Sequence, residues 1–198
     1  MTTALKTGRI LLLAALVAAS SGAWAQWQLD SEKSAVRFIS IKNASVAETH
    51  SFGSMVGYVN ADGAVQLVID LASVETMIPI RNERMRELLF RTAEFPSARV
   101  TANVDPAVLE AVAGGGTVAT ELALALSLHG VESELSVPVL VIGEGDGRLQ
   151  VLTPEPVLIR AEDYSLAGGI EALRKIAGLD SISTAVPVTV HLVFTHPG

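Results

Sequence analysis

Four histidines, His50, His129, His191 and His196, are the residues best suited to ligate a metal or move a proton. They are scattered along the chain, with no His-x-x-x-His spacing and no cysteine anywhere, so no metal centre is expected. Hydrolytic chemistry finds no better support. The chain holds no Gly-x-Ser-x-Gly elbow, and its carboxylates are spread over turns and helices rather than gathered in a motif. Gly114-Gly115-Gly116 precedes a strand, where it reads as a turn and not as a phosphate loop. No enzymatic activity and no required cofactor are expected. The remaining polar candidates are guanidinium groups: Arg81, Arg84, Arg86 and Arg91 lie close together, and their planar forks suit a phosphate or carboxylate headgroup at a cavity mouth. Glu83, Glu87 and Glu94 interleave with them, so a solvated, self-paired helix face is the competing reading. Arg160 beside Glu162 and Asp163 poses the same choice between a headgroup contact and a structural pair.

The stronger candidates are apolar, since a long non-polar chain is held by area removed from water. Val36, Phe38, Phe52, Val56, Leu67, Ile69, Leu122, Leu124, Leu126, Val139, Val190 and Leu192 alternate along apparent strands and are placed inside, with Phe90 at the end of the arginine-bearing segment. The same side chains could instead close a dry core. Burying ten methylenes at ~0.8 kcal/mol each gives about 8 kcal/mol, near micromolar binding before ordering costs, so only a long lipid would be retained.

The elements that must position these residues are strands. Val65, Leu67, Ile69 and Leu71 alternate after an Asn60-Ala61-Asp62-Gly63 turn signal that joins them to residues 51–59 as a hairpin. Leu122 to Leu128 and Val186 to Phe194 read as long strands, and 98–105, 135–142, 148–152 and 157–161 as shorter ones. Pro138 and Pro187 fall inside apparent strands and should mark edges or unpaired ends, because proline cannot donate to a ladder. Only two segments have helical spacing, 81–90 and 169–177. Many strands with two short helices argue for an all-β barrel or sandwich.

Lys6 and Arg9 precede an apolar run from Ile10 to Ala19, and Ala23-Trp24-Ala25 supplies small residues after it, the layout of a cleaved secretory signal peptide over residues 1–25. The run is too short to cross a bilayer core of ~30 Å, and no stable membrane insertion is expected. Residues 26–198 then form one domain. The leader carries two of the 14 basic residues and none of the 21 acidic ones, so the mature charge is 12 − 21 = −9, against −7 for the full chain. An acidic surface without a basic cluster is a poor partner for nucleic acid. The absence of cysteine excludes disulfides and a lipidated cysteine anchor.

Several stretches, in order, resemble the YceI family of exported lipid-binding proteins: Trp27-Gln28-Leu29-Asp30 with Ser34, Val36 and Phe38; Phe52-Gly53 with Gly57; Asp70-Leu71 with Ser73-Val74 and Thr76; Leu126-Ser127-Leu128-His129-Gly130-Val131; and Ile159-Arg160 with Asp163-Tyr164-Ser165-Leu166. The third stretch leads into a helix with Arg81, Arg84 and Arg86 and on to Phe90 and Phe95-Pro96, also similar to the family, although the helix carries Asn82 and Arg84 where the family more often shows an aspartate and a histidine. The resemblance implies a periplasmic protein with an extended, antiparallel, lipocalin-like β-barrel of about eight strands. It further implies a long apolar lipid inside, a polyisoprenoid or an isoprenoid quinone, that is stored, carried or shielded. Two other readings stay open: an interaction module with a filled barrel and outward apolar positions such as Val68 and Val193, able to form a homodimer, and a lipid-modifying enzyme.

Overall fold

The computed structural model describes residues 25–196. The expected leader lies outside it apart from Ala25, which is the first residue of a strand. Twelve strands form: β1 (Ala25–Leu29), β2 (Ala35–Lys42), β3 (Val46–Phe52), β4 (Met55–Asn60), β5 (Ala64–Asp70), β6 (Val74–Glu75), β7 (Ser97–Asn103), β8 (Gly116–Leu128), β9 (Val131–Glu144), β10 (Arg148–Leu152), β11 (Val157–Arg160) and β12 (Ala185–Thr195). They make one antiparallel sheet in the order β1-β4-β5-β7-β8-β9-β10-β12, and β12 pairs back onto β1 to close an eight-stranded barrel.

Strand β12 is long enough to take four partners. Residues 191–195 face β10 and β1, while 185–191 face β11 and β2. Through β2 the sheet continues to β3 and the short β6, extending the wall beyond the closed ring. Both strand prolines sit where one side of the ladder is open. Pro138 faces Glu121 on β8 but lies beyond Leu140, where the β10 pairing ends. Pro187 faces Leu158 on β11 but lies just beyond Val188, where the β2 pairing begins. The longest hairpin, β8–β9, turns on His129-Gly130, both at positive φ (51° and 79°), the backbone that a two-residue hairpin turn requires.

Among the described residues three α-helices accompany the barrel. The arginine-bearing segment is α1 (Pro79–Arg84), continued by a π turn over Met85–Leu89. The second expected helix is α3 (Ala167–Ala177). Between them the sequence hides α2 (Pro106–Ala113), whose signals are an Asp105 side chain accepting from Ala107 N and Pro106 in the first turn. Leu109 and Val112 of α2 are buried. Gly143 makes that seat possible, because a Cβ there would stand 1.7 Å from the Val112 carbonyl oxygen. Helix α2 therefore closes one end of the barrel, and the π turn with the start of α3 covers the other. Among the described residues no helix is long and apolar enough to cross a membrane.

Candidate functional site

Alternation along the strands turns every second side chain into the barrel, and these do not fill it. They surround a cavity of about 270 Å³. Leu109 borders it on the α2 side, and Leu89, Phe90, Leu166 and Ile170 border it on the α1 and α3 side. Among the described residues that line it, Thr120 and Thr153 alone have polar side chains, and none is charged. Such a wall can exclude water from an apolar chain.

Val36, Phe38, Phe52, Leu67, Ile69, Phe90, Leu122, Leu124, Leu126, Val139, Val190 and Leu192 all line the cavity. Val56 does not. It is 66% exposed on the outer face, opposite Val68. The inward positions of β5 are Val65, Leu67 and Ile69, and their partners on β4 are Val59, Gly57 and Met55, so the phase of β4 puts Val56 outside. Val193 needs the opposite correction. It faces outward between the cavity residues Leu192 and Phe194, but it is 5% exposed and offers no docking surface. Lining residues that the sequence reading passed over, such as Val59, Val65, Val100, Val141 and Phe194, obey the same alternation and were legible by extending it.

None of the arginines considered for a headgroup, Arg81, Arg84, Arg86, Arg91 and Arg160, lines the cavity. Arg81 pairs with Glu48 on β3 (Nη1 to Oε2, 2.6 Å) and donates from Nη2 to the Thr76 carbonyl (2.6 Å). Lys42 on β2 shares the same carboxylate at 2.7 Å. The Lys42 hydrogen bond, with help from Arg81, holds the Glu48 carboxyl below its usual range. Arg84 lies further along α1, and Arg160 is exposed at the end of β11, opposite Ala185. Asn82, the departure noted from the family pattern, is buried and builds the turn before α1. Its Oδ1 accepts from Thr76 N (2.8 Å) and Thr76 Oγ1 (2.5 Å), and its Nδ2 donates to Glu75 (3.1 Å).

The histidines stay apart. His191 points outward and bonds Gln150 (2.8 Å), His129 packs on Phe95 with ring centroids 4.4 Å apart, and His196 lies near Trp27. His50 is on the inner face of β3, hydrogen-bonded through Nε2 to Ser40 Oγ (2.8 Å) and packed on Phe38 (5.1 Å). Burial, then the Arg81 charge, lowers the affinity of His50 for a proton; burial does the same at His129. Among the described residues no three His, Asp or Glu side chains gather as metal ligands.

The sequence model of the YceI-like domain matches residues 27–194. The chain belongs to the YceI-like family. Among solved structures, this YceI-like chain is similar to a polyisoprenoid-binding domain from Saccharophagus degradans, with 41% identity, a TM-score of 0.85, and coverage of 88% of this chain and 100% of that one. It shares its fold with Burkholderia cenocepacia BcnA (21% identity, TM-score 0.65, 83% and 98% covered) and with a Campylobacter jejuni YceI protein (14%, 0.55, 80% and 90%). The comparison with curated proteins gives no match.

Proposed function

We propose that this YceI-like protein is an exported, periplasmic carrier that holds one long apolar lipid, a polyisoprenoid or an isoprenoid quinone, inside its barrel without a cofactor or a chemical step. The observation that carries this reading is the cavity itself: apart from Thr120 and Thr153 its lining is apolar from α2 to the π turn, and none of the described residues that line it is charged. The Saccharophagus degradans relative, described as polyisoprenoid-binding, supports the ligand class. A slender chain with a methyl branch at every fourth carbon suits a barrel walled by Val, Leu and Phe side chains. Long chain length supplies the affinity through apolar area.

Release needs one end to open. The π turn, with Leu89 and the Phe90 that follows it, is the better gate, and α3 rests on it through Gly169, where a Cβ would lie 2.6 Å from the Leu88 carbonyl. π turns are frequent at functional sites, and elements that open for a ligand are drawn from the low-stability end of a fold. Thermal unfolding tests the ligand class. A lipid that binds only the folded state at 100 times its Kd adds about 2.7 kcal/mol, a rise in Tm of roughly 5–10 °C at this chain length. An unchanged Tm with every isoprenoid tried would count against the carrier. Fractionation of expressing cells tests the compartment: recovery of a leaderless protein with the periplasm supports export, and retention in the cytoplasm refutes it.

A further inference from the structure

The inner face of the β2–β3 hairpin changes chemistry in steps. Val36 and Phe38 on β2, with Phe52 on β3, line the cavity. His50 lies directly opposite Phe38 and two residues from Phe52, so its side chain shares their face, one rung nearer the end covered by α1. The next rung is Ser40 opposite Glu48, and the last is Lys42 opposite Val46. Along a single face the wall therefore passes from aromatic, through a Ser–His pair, to a charged rim where Glu48 neutralises Lys42 or Arg81. An amphiphilic lipid has the same order of chemistry along its length.

His50 is the group on that path with hydrogen-bonding capacity left over. It is 3% exposed, its Nε2 is taken by Ser40, and its Nδ1 is buried with no hydrogen-bond partner among the described residues. Arg81 Nε, at the rim, is buried without a partner as well. A buried polar atom left unpaired is a standing cost that a bound oxygen would remove.

We propose that His50, oriented by Ser40 and standing just behind the cavity lining on the face that carries Phe38 and Phe52, is the headgroup site, and that it takes an uncharged oxygen, a carbonyl or a hydroxyl, carried at the end of the apolar chain. The proposal rests on the carrier reading and names the end group of its ligand. Burial, then the Arg81 charge, against the opposing Glu48, favours the neutral imidazole, in which Nδ1 offers one donor or one acceptor. When Nε2 accepts the Ser40 hydroxyl proton, Nδ1–H donates to a carbonyl; in the other tautomer Nδ1 accepts from a hydroxyl. A phosphate would have to lose its water to reach a group buried this deeply.

The test compares the mature protein and its His50→Phe variant with three probes of equal tail length: a ubiquinone with four isoprene units, geranylgeraniol, and the hydrocarbon phytane. Phenylalanine keeps the aromatic packing on Phe38 and removes the ring nitrogens. The expected result is a loss of about tenfold in affinity for an oxygen-bearing probe, with phytane unchanged. A loss confined to the quinone assigns a carbonyl, and one confined to the alcohol assigns a hydroxyl. Equal losses for all three, or none, would overturn the headgroup site and leave the carrier standing. Failure of the wild-type protein to bind any probe would overturn both. Should His50→Phe not fold, the imidazole 15N resonances of the wild-type protein decide: His50 Nδ1 shifts with an oxygen-bearing probe and not with phytane, and an unmoved resonance overturns the assignment.

Discussion

Gly143 on β9 lies beneath the Val112 carbonyl of α2, so close that a Cβ on residue 143 would stand 1.7 Å from that oxygen. One absent side chain thus lets a helix close the barrel end. Gly143→Ala should displace α2 and cost about 2–3 kcal/mol, a fall in Tm of roughly 5–10 °C for a chain of this size. Thermal denaturation followed by circular dichroism measures it, and an unchanged Tm would mean that α2 moves aside freely.

Leu124 and Val56 make a matched pair of probes. Leu124 faces the cavity, whereas Val56 faces solvent. Leu124→Arg places a charge against an apolar wall and should abolish lipid retention in any folded product, while Val56→Arg should retain lipid at the wild-type level. Lipid extracted per mole of folded protein reports both, and unchanged content in folded Leu124→Arg would remove that face from the site.

Acid should weaken the fold in two separate windows. His50 and His129 bind protons less readily when folded than when unfolded, chiefly through burial. The unfolded chain therefore takes up more protons below about pH 6.5, and stability falls as pH drops from there. Glu171 acts lower: the Arg174 hydrogen bond pushes its carboxyl down to about 2, so its contribution is present above the ordinary value of 4.5 and is lost as pH falls toward 2. His129→Asn, which suits the positive φ of that turn, should reduce the slope below about pH 6.5 and leave the lower window intact. Urea unfolding at a series of pH values distinguishes the two.

Gly169→Val adds bulk where α3 meets the Leu88 carbonyl. Loosening that contact by 1–2 kcal/mol should speed lipid release about tenfold while barely altering the spectrum of the barrel. Stopped-flow transfer of a fluorescent isoprenoid to vesicles measures the rate. An unaltered rate would place the gate at the α2 end.

Much of this architecture was legible because a strand repeats every two residues. Long runs such as Leu122 to Leu128 announce both their structure and their inner face, which is why twelve of the thirteen positions assigned to the interior line the cavity. Val56 failed for a physical reason: its inward neighbour is Gly57, which has no side chain to mark the phase, and Leu67 across the ladder packs against the place a Cβ would occupy. Helix α2 was hidden because eight residues carry little periodicity, although the Asp105-Pro106 cap was in view. The arginines read as a cluster in sequence, but Glu48, 33 residues from Arg81, engages one of them, a pairing that only the β2–β3 register and the fold of α1 create. His50 stood out only as one of four histidines until that register set it beside Phe38.

The central claim is that the barrel carries a lipid. Native mass spectrometry of the mature protein purified from a bacterial periplasm, with organic extraction of the same sample, tests it most directly. The account predicts a stoichiometric adduct that yields a long-chain isoprenoid. A bare mass that persists after incubation with isoprenoid quinones and polyprenols would contradict it.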